Sequence, residues 1–91
     1  GAADFLAIAS RFHTVMIDDI PRLEAAERDA AKRFVVLVDS LYEHKVNLFA
    51  TAAAEPGALY TEGDTAFEFE RTVSRLMEMQ AEDYLDSPHI P

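Results

Sequence analysis

Hydrophobic and polar positions recur with two different periods along the chain, and each change of period marks a new element. Apolar residues at positions 5, 8, 9 and 12 have the spacing of one buried helical stripe. Asp4 is placed to cap this helix, which we expect to end near Arg11. Residues 13–20 then form a β-branched apolar run closed by Pro21, which has no N–H to continue a strand ladder. This run predicts a strand.

The clearest helical pattern lies between residues 24 and 44. Glu24 precedes Arg28 by four residues, and such an acid-before-base pair supports a helix by ~0.2 to 0.5 kcal/mol. The apolar residues share one face of this predicted helix: Ala31, Phe34, Val35, Val38, Leu41 and Tyr42. A second apolar run at residues 46–52 follows almost directly, and it predicts a second strand.

The last third of the chain begins with turn-forming residues and returns to a helical period. Residues 53–63 hold one proline and two glycines, which favours a loop with a helical turn over residues 57–60. Residues 65–68 form a capping box that opens a final helix, which should end after Gln80. Its predicted inner face consists of Phe69, Val73, Leu76 and Met77. Residues 86–91 are expected to be a loose tail.

The order of these elements predicts a small α/β module. A strand, a helix of about 20 residues and a second strand with short joins form the crossover unit that connects parallel strands. One such unit, flanked by an N-terminal and a C-terminal helix, accounts for residues 1–91 as a single domain. Two strands are too few for a self-sufficient sheet, and both are apolar on both faces. We therefore expect the module to extend a larger sheet or to pack against a copy of itself.

Charge and composition exclude several classes of protein. The 91 residues carry a net charge of -9, with eight cations scattered among seventeen acids, which argues against nucleic-acid binding. The absence of cysteine excludes disulfides and thiolate metal sites. No apolar stretch approaches the ~20 residues that cross a bilayer, and no signal peptide is recognisable, so a cytoplasmic location is expected.

Three polar residues lie where the two predicted strands end: Asp18, Asp19 and Thr51. Parallel strands bind ligands at their carboxyl edge, so these residues are candidates for contact with phosphate or magnesium. The alternative is that the two aspartates simply end a strand and begin a turn. A glycine-rich phosphate-binding loop is absent from the sequence, whose glycines are Gly1, Gly57 and Gly63.

The remaining chemistry-bearing residues do not form a recognisable catalytic motif. His13, His44 and His89 are separated by whole elements and lack metal-ligand spacing. The serines lack the Gly-x-Ser-x-Gly context of a hydrolase nucleophile. We therefore expect no metal site and no complete catalytic site within these residues.

Arg71 and Arg75 lie four residues apart on one helical face in an otherwise acidic region. In one interpretation they form ordinary surface pairs with Glu68 and Glu78, which are worth little. In the other, they bind a phosphate or a partner carboxylate in a bidentate manner. The sequence leaves both interpretations open.

Several stretches together resemble a known family. The most specific is Phe-Glu-Arg-Thr-Val-Ser-Arg-Leu-Met-Glu-Met-Gln at residues 69–80, supported by Leu-Val-Asp-Ser-Leu-Tyr at 37–42 and Ala-Ala-Ala-Glu-Pro at 52–56. These stretches are similar to the carboxyl-terminal part of the ZapE and AFG-one-like ATPases, which are AAA-like P-loop proteins. The resemblance spans nearly the whole chain.

The resemblance implies that ATP and magnesium are bound by residues upstream of Gly1, so that this fragment holds no cofactor and is inactive alone. The partners that it implies are the upstream ATPase domain and, in bacteria, the division-ring protein. It also implies a peripheral location at the division site. Self-association of the chain is a further possibility. Mitochondrial relatives act in protein quality control. Arg71 and Arg75 become phosphate-sensing or intersubunit arginines. The alternative function is an interaction module that recruits a partner through its strand edge and acidic last helix.

Overall fold

The computed structural model of the protein describes residues 2–24, 26–60 and 66–91. Its elements, in chain order, are α1 (Ala2–Arg11), β1 (Thr14–Ile20), α2 (Arg28–Glu43), β2 (Asn47–Ala52), a 3₁₀ turn (Pro56–Ala58), α3 (Ala66–Glu78) and α4 (Glu82–Leu85). The predicted α/β module, with one crossover unit flanked by helices, is confirmed. The first residue of the predicted capping box, Thr65, lies outside the described residues.

Strands β1 and β2 pair in parallel, with Thr14 opposite Asn47 and Ile17 opposite Ala50. The register then shifts, because Ile20 lies opposite Ala52. Three steps along β1 therefore match two steps along β2, which is the geometry of a β-bulge. The bulge falls where the sequence places its two adjacent aspartates.

Helix α2 begins at Arg28, four residues later than its charge pattern suggests. The backbone before it is engaged elsewhere, since the Leu23 N–H donates to the Leu59 carbonyl over 2.7 Å. The Glu24 N–H donates to a side-chain oxygen of Glu27 over 2.9 Å. These bonds hold the connection in a turn that the helical period cannot reveal.

The hydrophobic core lies between the helices and one face of the sheet. Three apolar side chains at its centre, those of Val38, Leu41 and Val46, are fully buried. The sheet contributes Val15 and Leu48, which pack against this cluster. Helix α2 thus covers one face of the sheet and packs against both α1 and α3.

The opposite face of the sheet is uncovered in the described part of the chain. Met16 and Phe49 are register partners on adjacent strands. Their exposed fractions are 75% and 62%. Since neighbouring strand residues point to opposite faces, Val15 and Met16 differ in burial because only one face has helices against it.

Helix α3 buries a slightly different stripe from the predicted one. Phe69 and Leu76 are buried as expected, but Met77 is 56% exposed, so its predicted inner position is wrong. The buried stripe runs through Thr72 instead and continues to Met79, directly after the helix ends. Positions 69, 72, 76 and 79 follow the helical period, and this stripe leaves position 77 at its edge.

The final segment contacts two other parts of the molecule. In the segment that the sequence predicts to be a loose tail, the Ile90 N–H donates to the His44 carbonyl over 2.8 Å. The Nδ1 atom of His44 lies 2.6 Å from the Ile90 carbonyl. The Nε2 atom of His89 lies 2.7 Å from the Ala9 carbonyl. These contacts connect residues 86–91 with α1 and with the end of α2.

Candidate functional site

Arg71 and Arg75 of α3 converge on one carboxylate, that of Asp39 in α2. Arg71 Nη2 lies 3.2 Å from Asp39 Oδ2, and Arg75 Nη1 lies 2.5 Å from Asp39 Oδ1. The surface-pair interpretation named the wrong acids, because within the described residues both arginines pair with Asp39 rather than with Glu68 or Glu78. The pairing therefore joins α2 and α3 through residues that are 32 and 36 positions apart in sequence.

Arg75 is held by a second group. The centre of its guanidinium lies 4.8 Å from the centroid of the Tyr42 ring, within cation–π range. The Tyr42 hydroxyl donates to Glu78 Oε2 over 2.6 Å. This hydrogen bond to a carboxylate raises the pKa of Tyr42, because the neutral phenol is the donor. Asp39, Tyr42, Arg71, Arg75 and Glu78 together are called the arginine cluster below.

A buried tyrosine, Tyr84, packs against the Tyr42 ring of the arginine cluster. The Tyr84 ring stacks on the Tyr42 ring at a centroid distance of 6.0 Å. Its hydroxyl lies 2.7 Å from the Val46 carbonyl and 3.2 Å from the Leu41 carbonyl. Burial raises the pKa of Tyr84 to about 12, because the phenolate would be poorly solvated. Lys45 Nζ lies 5.0 Å and 5.2 Å from the two ring centroids.

The two arginines differ in what they still offer to a ligand. The side chain of Arg75 is 25% exposed and that of Arg71 is 57% exposed. A guanidinium carries five N–H donors, and the bond from Arg71 to Asp39 engages its Nη2 atom. Arg71 therefore keeps N–H donors that are open to solvent, while Arg75 is held against α2.

The carboxyl edge of the sheet brings two of its three predicted residues together. The Asp19 N–H donates to Thr51 Oγ1 over 2.8 Å. Asp18 and Asp19 lie within β1 at the bulge rather than after it, and Asp19 has a φ of 59°. Aspartate tolerates this left-handed conformation better than most residues. The geometry agrees with the interpretation of these acids as residues of an irregular strand end.

The histidines contact backbone and hydroxyl groups. His13 Nδ1 lies 2.7 Å from Thr14 Oγ1, and the other two contact carbonyls as described above. The described residues contain no group of three or more potential metal ligands.

A cavity of about 620 Å³, which sequence reasoning missed, lies beside β2. Phe34, Leu48, Leu76 and Met79 form its walls, and the end of β2 adds a row of alanines from Ala50 onward. The run of alanines at residues 52–54 is the only signal of this feature in the sequence. Small side chains leave the space that larger ones would fill.

None of the helices in the described ranges combines the length and the apolar character that a bilayer crossing needs.

Comparison with known proteins places the chain in a family. The model of the AFG1-like ATPase family matches residues 1–88. The chain is 40% identical over 87 residues to the cell division protein ZapE of Escherichia coli K12, covering 96% of this chain and 23% of ZapE. It is 33% identical over 116 residues to lactation elevated protein 1 homolog B of Danio rerio, covering 92% of this chain and 23% of that protein. No solved structure matches.

The chain spans about a quarter of the length of these relatives, and in ZapE the matched part is the carboxyl-terminal portion. The match includes the helix that carries Arg71 and Arg75, together with the segment of α2 that carries Asp39. On the extent of the family match, the chain belongs to the AFG1-like ATPase family.

Proposed function

We propose that these residues are the carboxyl-terminal part of an ATP-hydrolysing protein and that they complete its nucleotide site. The family match over residues 1–88, combined with coverage of only 23% of the relatives, supports this proposal. The sequence has no glycine-rich phosphate loop. ATP and magnesium are therefore bound by an upstream domain, and this module contributes side chains to the same site.

Arg71 is the side chain that we assign to the phosphate. The observation that carries this assignment is its position: it is 57% exposed, yet held by Asp39 on a packed helix pair. Arginine stabilises the charge that develops on a transferring phosphoryl group, and it does so best when its position is fixed in advance. Arg75, which is more buried, holds the helix face in place.

The open face of the sheet supports the presence of an upstream domain. Met16 and Phe49 expose most of their apolar surface side by side. A sheet built from parallel strands is normally covered on both faces. In our proposal the upstream domain supplies both the missing cover and further strands.

The cellular role that we propose rests on the similarity to ZapE. ZapE of Escherichia coli is a cell division protein, and we propose a role in division for the full-length protein that contains this chain, in the bacterial cytoplasm at the division site.

A second function, an interaction module, is favoured by the same open face. In that case Met16 and Phe49 bind a separate protein rather than the upstream domain, and the acidic last helices guide its approach. Such a module would capture its partner whether or not nucleotide is bound.

Substitution of the arginines in the full-length protein separates the two functions. Arg71→Ala should lower ATP turnover about tenfold or more, because it removes a donor aimed at developing charge. Arg11→Ala, which removes an exposed arginine at the end of α1, is the matched control and should leave turnover unchanged. Unchanged turnover in both Arg71→Ala and Arg75→Ala would refute the nucleotide role and leave the interaction module.

A further inference from the structure

We propose that Asp39 is a positioning residue, which holds Arg71 in the orientation that binds phosphate. This inference rests on the proposed function of Arg71. The inference adds Asp39, a residue from a different helix, to the site. Neither the sequence spacing of Asp39 nor its residue type suggests that it belongs there. Asp39 lies in α2, and its carboxylate forms the ion pairs that connect α2 with α3.

The carboxylate of Asp39 binds one arginine with each oxygen. Oδ1 accepts from Arg75 Nη1 over 2.5 Å, and Oδ2 accepts from Arg71 Nη2 over 3.2 Å. Two like charges four residues apart on a helix repel each other. A shared carboxylate offsets this repulsion and holds both guanidinium groups close to the same point.

The contacts of the two arginines differ, and this difference indicates that the two side chains have different roles. Arg75 is 25% exposed and packs on the Tyr42 ring. Arg71 is 57% exposed. Asp39 is therefore anchored through Arg75, and it in turn restricts Arg71 while leaving most of that side chain accessible.

The backbone of Asp39 is itself fixed. Its neighbours Val38 and Ser40 are buried, with exposed fractions of 0% and 7%. Ser40 Oγ donates to the Val36 carbonyl over 2.9 Å within α2. A carboxylate on such a segment can move only by rotation of its own short side chain, so it limits the positions that Arg71 can adopt while bound to it. This is the support that a precisely placed binding group needs.

An ordinary surface ion pair makes a different prediction. Exposed pairs contribute about 0 to 1 kcal/mol to stability, and removing one has no reason to change the chemical step. A positioning residue instead affects the turnover number and depends on the residue it positions. Kinetics in the full-length protein can therefore separate the two roles.

The test compares Asp39→Asn, Asp39→Glu, Arg71→Ala and the double variant Asp39→Asn with Arg71→Ala, all in the full-length protein with ATP as substrate. Asp39→Asn should lower kcat about three- to tenfold with KM changed less than about twofold, because Arg71 acts mainly on the transition state. Asp39→Glu, which restores the charge, should recover part of this loss. The double variant should be no slower than Arg71→Ala alone.

Asp29→Asn is the matched control, because this residue is an exposed acid in the first turn of the same helix. It should leave kcat unchanged. If Asp39→Asn has a normal kcat while Arg71→Ala is slow, the role of Asp39 is refuted and the proposed function stands. If Arg71→Ala itself has normal turnover, the assignment of Arg71 to the phosphate fails, and the role of Asp39 fails with it.

Additive losses in the double variant would also refute the inference. A general loss of stability in Asp39→Asn would slow the Arg71→Ala background as well, so the double variant distinguishes destabilisation from loss of positioning.

Discussion

The two faces of the sheet differ sharply although they are made by the same two strands. On one face, Val15 and Leu48 pack against a core whose central residues are fully buried. On the other, the adjacent residues Met16 and Phe49 expose 75% and 62% of their surface. Because strand residues alternate between faces, this contrast arises from what covers each face and not from the hydrophobicity of the strands.

The contrast shows where the module is complete and where it depends on something else. The covered side holds the helix pair α2 and α3, and with it the arginine cluster, whose positions are set by internal contacts. The open side presents apolar surface with no internal partner in the described residues. In our account the rigid side positions the chemistry and the open side joins the module to its upstream domain.

The largest expected effect comes from making one change on each side. Phe69→Ala should lower the free energy of unfolding of the 91-residue chain by ~3 to 5 kcal/mol. Phe69 is 1% exposed, and its ring lies 5.8 Å from that of Phe34 and 5.4 Å from that of Tyr60. Phe49→Ala removes the same atoms from the open face and should cost less than ~1 kcal/mol. Urea denaturation followed by circular dichroism measures both.

The same pair of variants sharpens the comparison in the full-length protein. There, Phe49→Ala should become destabilising by ~2 kcal/mol or more, because in our proposal the upstream domain buries this ring. Equal costs for Phe49→Ala in the short and the full-length chain would show that the face stays open.

A smaller effect concerns the pH dependence of stability on the covered side. The pKa of Tyr84 is raised by burial from 10.0 to about 12 in the folded state. Folding therefore favours the neutral form of Tyr84. Its contribution to the free energy of unfolding is fully present below about pH 10 and is lost as the pH rises through about 12. Thermal unfolding at a series of pH values should show this fall.

Tyr84→Phe should reduce the fall in stability between about pH 10 and 12, because this buried side chain then has no phenol to ionise. Tyr42→Phe is the matched control on the exposed side of the same stacked pair, and it should retain most of the fall. An unaltered pH profile in Tyr84→Phe would assign the effect to another group.

The sequence predicts the elements of this fold well because their signals are local. The β-branched run before Pro21 and the apolar stripe around Val38 give the crossover unit directly. The predicted start of α2 is wrong by four residues, because the bond from Leu23 to Leu59 joins residues far apart in the chain. Hydrophobic periodicity carries no information about such a contact.

The candidate site was only half predictable for the same reason. Arg71 and Arg75 are recognisable by their spacing within an acidic region. Their partner Asp39 lies more than thirty residues away and belongs to the polar side of another helix. Neighbouring acids such as Glu78 are closer in sequence, but Glu78 accepts from Tyr42 instead. The packing of α3 on α2 decides the pairing, and sequence spacing alone does not encode it.

The central claim is that an upstream domain covers the open face of the sheet. The most direct test measures, in the full-length protein, the oxidation of the three methionines that belong to these 91 residues. Met16 lies on the open face, Met77 is 56% exposed on α3, and Met79 is 6% exposed. Methionine oxidation follows solvent access, and mass spectrometry can follow each residue separately. If an upstream domain covers the open face, Met16 should be oxidised as slowly as Met79 and more slowly than Met77. Oxidation of Met16 at least as fast as that of Met77 would contradict the account.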